Sequence, residues 1–389
     1  MSRGAVHIRG WGAVSTLGWS AAESARNLIS GLVHEAAICS SAHLIHRNFK
    51  AFEIDFDGNP MEKSFAMIDA AVSEAIERAQ LSQEEIAESC LLVGTTGGLF
   101  IRNEFEFTES ARQNPDKELP PISCRNRGPG EVTQMIANKF GISGMTFTLS
   151  MACVSSSHAL VAAAGLLQQK KIRRAIVVGF EPLLNMTLHG FASLLLYDSD
   201  RCRPFCNMRS GMQIGEGAAC IILDEKAAKT TAENQYTLAG GYLFNDNSSL
   251  TSAGTDGEMV KTVVQEALRR ADIAPESIVA VKAHGTGTRD NDLSEGRGLA
   301  KVFGAKMPPV VSLKGAVGHG LGAAGAVETA LWLSCLEEGE MPRTFGFSEI
   351  DPEIGFAPSV ENRSAPAGAY LFTFFGFGGT CTSYVINKE

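Results

Sequence analysis

TFTLSMACVSSSHALVAAAGLLQQKKIRRAIVVG, residues 146–179, is the stretch on which the fold turns. Thr146 to Leu149 reads as a short apolar strand, the small-residue run from about Ser155 as a helix, and Arg174 to Gly179 as a buried strand. The same alternation continues on both sides. Upstream, Ala5 to Arg9 and Cys90 to Gly94 read as strands, and Ala21 to Ile29, Phe65 to Ala79 and Gly130 to Phe140 as helices. Downstream, Ala218 to Leu223 closes a first series of elements. A second, similar series follows: strands at Tyr242 to Phe244, Ile278 to Ala283, Val310 to Leu313, Tyr370 to Phe375 and Thr382 to Ile386, with helices at Gly257 to Ala271, Asp292 to Val302 and Leu321 to Leu336. Alternating strands and helices predict an α/β protein with a mixed or parallel sheet. The two series read as half-domains meeting near residues 225–240, where polar KAAKTTAENQ, residues 226–235, is the linker candidate.

Composition narrows the function. The 389 residues are 44% hydrophobic and 20% charged, enough apolar material for a large core and too much for a disordered chain. Forty-three acidic against 34 basic residues give a net charge of −9, which argues against general nucleic-acid or anionic-membrane binding. The most apolar stretch, Ala159 to Leu167, is far short of the ~18 residues a membrane span requires. No signal-peptide core opens the chain, and the nine cysteines form no CxxC pair, so a cytoplasmic protein without a metal centre is expected.

Four segments carry the chemistry. In TLSMACVSSSHAL, Cys153 lies between a strand and the start of a helix, where free N–H groups favour a thiolate and hence an acyl-accepting nucleophile. Alone it fits a buried structural cysteine as well. In VKAHGTGTRDND, His284 ends an apolar strand, and Thr286 and Thr288 offer hydroxyls in a glycine-containing loop; alone, the segment equally fits a strand-end histidine satisfied by backbone. In SLKGAVGHGLGAAGAVE, Lys314 and His319 flank a glycine-rich turn, and Glu328 is placed to fold back onto Lys314. In FTFFGFGGTCTSY, the Gly-Phe-Gly-Gly run sets an exposed backbone amide beside the Phe377 ring, which suits an oxyanion hole or a gate and alone fits a strand–turn–strand with a core Phe equally well. No G-x-S-x-G appears, which disfavours a serine hydrolase.

Taken in order along nearly the whole chain, these segments resemble the β-ketoacyl-[acyl carrier protein] synthases of the elongating, two-histidine class. MACVSSS, the His284–Thr288 loop, Lys314 to Gly325, Gly376 to Thr380 and CRPFCNMRSGMQIGEGAA, residues 202–219, match the motifs of that family. The resemblance implies a thiolase-like fold of two similar α/β halves, residues 1–235 and 236–389, packed as a layered αβαβα body. It implies that Cys153 takes an acyl chain from a carrier protein, and that His284 and His319 bind a malonyl thioester and favour its decarboxylation. The N–H groups of Cys153 and Phe377 then form the oxyanion hole, Lys314 held by Glu328 orients the site, and Thr286 and Thr288 bind the pantetheine arm. No cofactor is implied. The implied partners are acyl carrier protein, docked through Lys63, Arg125 and Arg127, and a second subunit forming either a homodimer or a heterodimer of a ketosynthase with a chain-length factor. A non-catalytic chain-length-factor role is the alternative; such partners typically lack the cysteine that this chain keeps.

The chain also departs from the family pattern. Arg289 follows the second Thr of the histidine loop where the family has Pro, and Phe372, Thr373 and Phe374 stand where it has Ser and Asn, which speaks against the monovalent cation of some relatives. Thr96 replaces a large apolar residue and, with Phe191 and Phe375, is expected to shape the acyl pocket. These features fit a specialised type II pathway, such as aryl polyene synthesis, at least as well as fatty-acid elongation.

Overall fold

The computed structural model describes residues 5–38, 49–113, 128–227, 235–246 and 254–389. Ten strands form one sheet: β1 (His7–Val14), β2 (Cys90–Gly94), β3 (Thr146–Leu149), β4 (Arg174–Glu181), β5 (Gly217–Asp224), β6 (Tyr236–Asn245), β7 (Ile278–Lys282), β8 (Val310–Val311), β9 (Gly368–Gly376) and β10 (Thr380–Lys388). Their spatial order is β8-β7-β9-β10-β6-β1-β5-β4-β2-β3. Each half therefore has the same order, third-second-fourth-fifth-first in its own chain sequence. The pairing senses repeat as well: β2 is parallel to β3 and β4, β7 is parallel to β8 and β9, and the remaining pairs within each half are antiparallel. The halves join where His7 and Ile8 of β1 meet Thr237 and Tyr236 of β6.

Side-chain alternation divides the core into layers, since successive strand residues face opposite sides. Along β5, Ala219, Ile221 and Leu223 enter a central core, whereas Ala218, Cys220 and Ile222 enter an outer one. Along β9, Tyr370, Phe372 and Phe374 enter the same central core, while Ala369, Leu371 and Phe375 face a second outer core. The outer layers are helices α2 (Pro60–Ala79) and α4 (Pro129–Phe140) on one side, and α7 (Glu258–Ala271) and α8 (Arg289–Phe303) on the other. Between the sheet halves lie α1 (Ala21–Ser30), α5 (Ser155–Gln168) and α9 (Ala324–Glu337). This is the expected αβαβα layering. All of α9 from Ala324 to Leu336 is buried, which its lack of a polar face requires.

Several elements differ from the sequence reading. β1 and β6 are longer than expected because Gly10, Gly12, Gly240 and Gly241 break their apolar pattern. The bare backbone is needed there: a Cβ on Gly12 would sit 2.3 Å from Ala71 O of α2, and one on Gly240 2.4 Å from Ala271 N of α7. Helices α3 (Phe100–Gln113) and α6 (Asn185–Ser193) went unread. The run from Leu321 opens as a 3-10 turn, and α9 begins only at Ala324. The linker candidate falls mostly on residues 228–234, outside the described residues.

The central helices touch backbone to backbone. Ala326 N–H donates to Ser156 Oγ at 3.0 Å, and a Cβ on Gly325 would lie 2.3 Å from Ser157 N. Gly325→Ala is therefore expected to lower stability by about 1–3 kcal/mol, outweighing the roughly 1 kcal/mol helix-propensity gain. A urea melt of the variant at or above the wild-type midpoint would contradict this contact.

Candidate active site

The turn from β3 into α5 presents Cys153. Ala152 adopts φ +49°, a left-handed conformation unusual for a residue with a side chain. The Ser155 hydroxyl locks the turn, accepting from Met151 N–H at 2.9 Å and donating to Ala152 O at 2.7 Å. Cys153 is buried among Leu183, Leu188, Met212, Ile214 and Leu321. The expectation of an acidic thiol at a helix start is corrected here. Burial pushes Cys153 up to about 12, with Lys314 and the N–H groups of Cys153 and Phe377 pulling it down and Glu181 pushing it further up. The resting side chain is a thiol, and the two N–H groups converge on its sulfur.

His284 follows β7 and is held by the helix after it. Its N–H donates to Glu295 Oε1 at 2.8 Å, and Gly285 N–H to Glu295 Oε2 at 2.7 Å. Asp292 accepts the next two N–H groups, those of Thr286 and Gly287. The Thr286 and Thr288 hydroxyls hydrogen-bond to each other at 2.8 Å. His319 is fixed by its backbone, with its N–H on Gln213 O and its carbonyl accepting from Gly215 N–H. Its Nδ1 accepts from Leu321 N–H at 3.3 Å, which leaves the proton of a neutral ring on Nε2. The imidazoles of His284 and His319 are 5.2 Å apart and nearly perpendicular, at 83°. Burial, then the nearby lysines, hold both well below the usual histidine range. Both rings are neutral hydrogen-bonding groups at physiological pH.

Lys314 lies directly beneath. Its Nζ donates to Glu328 Oε1 at 2.6 Å and to the His284 carbonyl at 2.8 Å. The expected pairing of Lys314 with Glu328 is present. A second lysine, Lys282, was not singled out; its Nζ meets the other oxygen of Glu328 at 2.5 Å. The available signal was strand parity: Lys282 and His284 are two apart and share a face.

Cys153, His284 and His319 line one cavity of about 360 Å³ with Thr286, Thr288, Phe191, Phe375 and Phe377. The Phe191 and Phe377 rings are 5.5 Å apart across it. Two expectations are corrected. Thr96 is not among the residues lining this cavity; its N–H is bound to buried Glu181. Lys63 is not a free surface cation, because its Nζ is buried against Glu216 at 2.6 Å and Glu53 at 3.3 Å. Arg125 and Arg127 lie outside the described residues.

Comparison with known proteins bears on the same segments. Residues 34–229 match the model of the beta-ketoacyl synthase N-terminal domain, and residues 236–348 that of the C-terminal domain. The chain belongs to the beta-ketoacyl synthase family. It is a condensing enzyme of the acyltransferase type. Among its relatives, the 3-oxoacyl-[acyl-carrier-protein] synthase 2 of Coxiella burnetii is 28% identical over 100% of this chain and 99% of its own. The enzyme of the same name from Mycobacterium bovis is 29% identical over 76% of this chain and 74% of its own. Solved synthase structures share the fold. A beta-ketoacyl synthase from Burkholderia phymatum has a TM-score of 0.83 at 24% identity, covering all of both chains. The ishigamide ketosynthase/chain length factor reaches 0.86 at 22% identity over 99% of each. Among the described residues, no helix of this synthase is long and apolar enough to cross a membrane.

Proposed function

We propose that this synthase joins a Cys153-bound acyl chain to malonyl-[acyl carrier protein] by decarboxylative Claisen condensation. The observation that carries the reading is the single cavity shared by Cys153, His284, His319 and the amide of Phe377. Cys153 sulfur attacks the acyl thioester; its proton goes to the departing carrier thiolate, and the acyl group stays on Cys153. The malonyl thioester then takes its place, its carbonyl oxygen accepting from His284 and His319. The bond to its carboxylate breaks, carbon dioxide leaves, and the electron pair moves onto that oxygen as an enolate. The enolate carbon attacks the acyl-Cys153 carbonyl, whose oxyanion lies against the N–H groups of Cys153 and Phe377, and the thiolate is expelled. Thr286 and Thr288 suit the pantetheine arm, and Phe191 with Phe375 the acyl chain.

Acyl carrier protein is the donor in this reading, since relatives are named for that substrate. Arg125 and Arg127 remain the docking candidates. The division into halves at residue 235 follows the repeated strand order. The outer edge of β3 suits a second ketosynthase-type subunit: it ends the sheet, and Met145, Phe147 and Met151 are 49%, 42% and 37% exposed beside it. The seven cysteines among the described residues are free thiols, in keeping with a cytoplasmic location. The retained Cys153 favours catalysis over a chain-length-factor role.

Intact mass after mixing with an acyl carrier-protein thioester tests the reading. One acyl group should appear on the wild type and none on Cys153→Ala. Equal labelling of both would place the acyl group elsewhere and overturn the assignment.

A further inference from the structure

Lys282 takes no part in the steps above, yet it is fully buried directly behind them. Its Nζ sits 2.5 Å from Glu328 Oε2 and 3.6 Å above the centre of the Phe374 ring. Glu328 thus faces two ammonium groups, Lys282 on one oxygen and Lys314 on the other. A buried lysine is costly unless neutralised, and half a carboxylate plus a ring face is thin compensation. Glu328 alone does not neutralise both ammonium groups.

The groups around Lys282 come from four further elements. Glu328 belongs to α9, Lys314 to the turn after β8, Glu295 to α8 and Phe374 to β9. Glu295 accepts from the N–H groups of His284 and Gly285 and from the Thr373 hydroxyl, and its charge also favours the Lys282 ammonium. On the cavity side stand His284 and His319, which Lys282 helps to hold neutral.

We propose that Lys282 is a positioning residue for decarboxylation: with Lys314 it shares Glu328 so that a positive charge remains beneath the histidine pair, keeping both rings neutral and favouring negative charge on the malonyl thioester oxygen. This rests on the condensation reading above. The charge is conditional. Burial lowers the Lys282 ammonium to about 8, with Lys314 lowering it too and Glu328 and Glu295 opposing. Lys282 is charged below that pH and neutral above it, so its support is lost as pH rises through about 8.

The experiment measures carbon dioxide release from malonyl carrier by enzyme pre-loaded on Cys153, normalised to the acylated fraction found by mass, from pH 6 to 9.5. Carbon-13 histidine NMR on the same proteins, extended to acid pH, follows the ring titrations. Wild type should slow above pH about 8. Lys282→Met should release carbon dioxide roughly tenfold more slowly at neutral pH and lose that alkaline limb, as expected when a charge near the reacting oxygen is removed. Its His284 and His319 signals should titrate at higher pH than in wild type. Lys282→Arg, charged at every pH tested, should stay level where wild type falls.

An unchanged histidine titration and alkaline limb in Lys282→Met would overturn the proposal. If that variant does not fold, a Lys282→Arg limb coinciding with wild type would do so. Failure of wild type to load an acyl group at all would strike the condensation reading instead, and the histidine titrations would still decide the role of Lys282.

Discussion

His284→Ala and His319→Ala proteins will accept an acyl group on Cys153 and stop there. Neither ring is needed to hold the nucleophile's turn, which Ser155 and the Ala152 conformation fix. In the proposed condensation both act where charge develops on the malonyl thioester oxygen. Loss of one donor aimed at a developing oxyanion typically costs about 10²–10³ in rate. Each variant should therefore show wild-type acyl mass and carbon dioxide release at least about a hundredfold slower. Because both histidines titrate well below their usual range, wild-type release should show no ionisation near pH 6.5; the rings are already neutral there. A histidine variant that condenses at the wild-type rate would remove the pair from the mechanism.

Glu328→Gln will destabilise the fold strongly. It removes the carboxylate that Lys282 and Lys314 share and leaves two ammonium groups in a dry interior. Breaking a buried pair from one side typically costs about 3–5 kcal/mol. The pH dependence identifies the cause. With the carboxylate gone, the folded state disfavours lysine protonation more than the unfolded chain does, so the unfolded state binds more protons and stability rises with pH. The deficit against wild type should narrow between neutral pH and the unfolded lysine value of about 10.4. Parallel denaturation midpoints across that range would show that the loss comes from packing and not from charge.

That Cys153 and both histidines share one cavity was legible because each sits where a strand ends and small residues begin, a pattern that survives in one dimension. So did the pairing of Lys314 with Glu328, whose segment brings both together. Lys282 was not legible, because a lysine closing an apolar strand also reads as a solvated strand end; its burial depends on α9 and β9, distant in sequence. Lys63 failed for the same reason. The resemblance implied a docking cation, but Glu216 arrives from a loop more than a hundred residues away to bury it. The acidity expected of Cys153 failed on burial: a helix start favours the thiolate, and the apolar wall around it costs more. Glycine misled the strand readings, since β1 and β6 use it to admit a helix backbone.

The repeated strand order gives the two halves corresponding turns with different contents. The turn after the third strand holds Cys153 in one half and Lys314 and His319 in the other. The turn after the second strand holds Thr95 to Gly98 in one and His284 to Thr288 in the other. Corresponding turns thus hold a thiol in one half and imidazoles in the other, a division of labour that two identical halves could not have. One lopsided reaction chamber stands where an exact repeat would have built two equivalent ones.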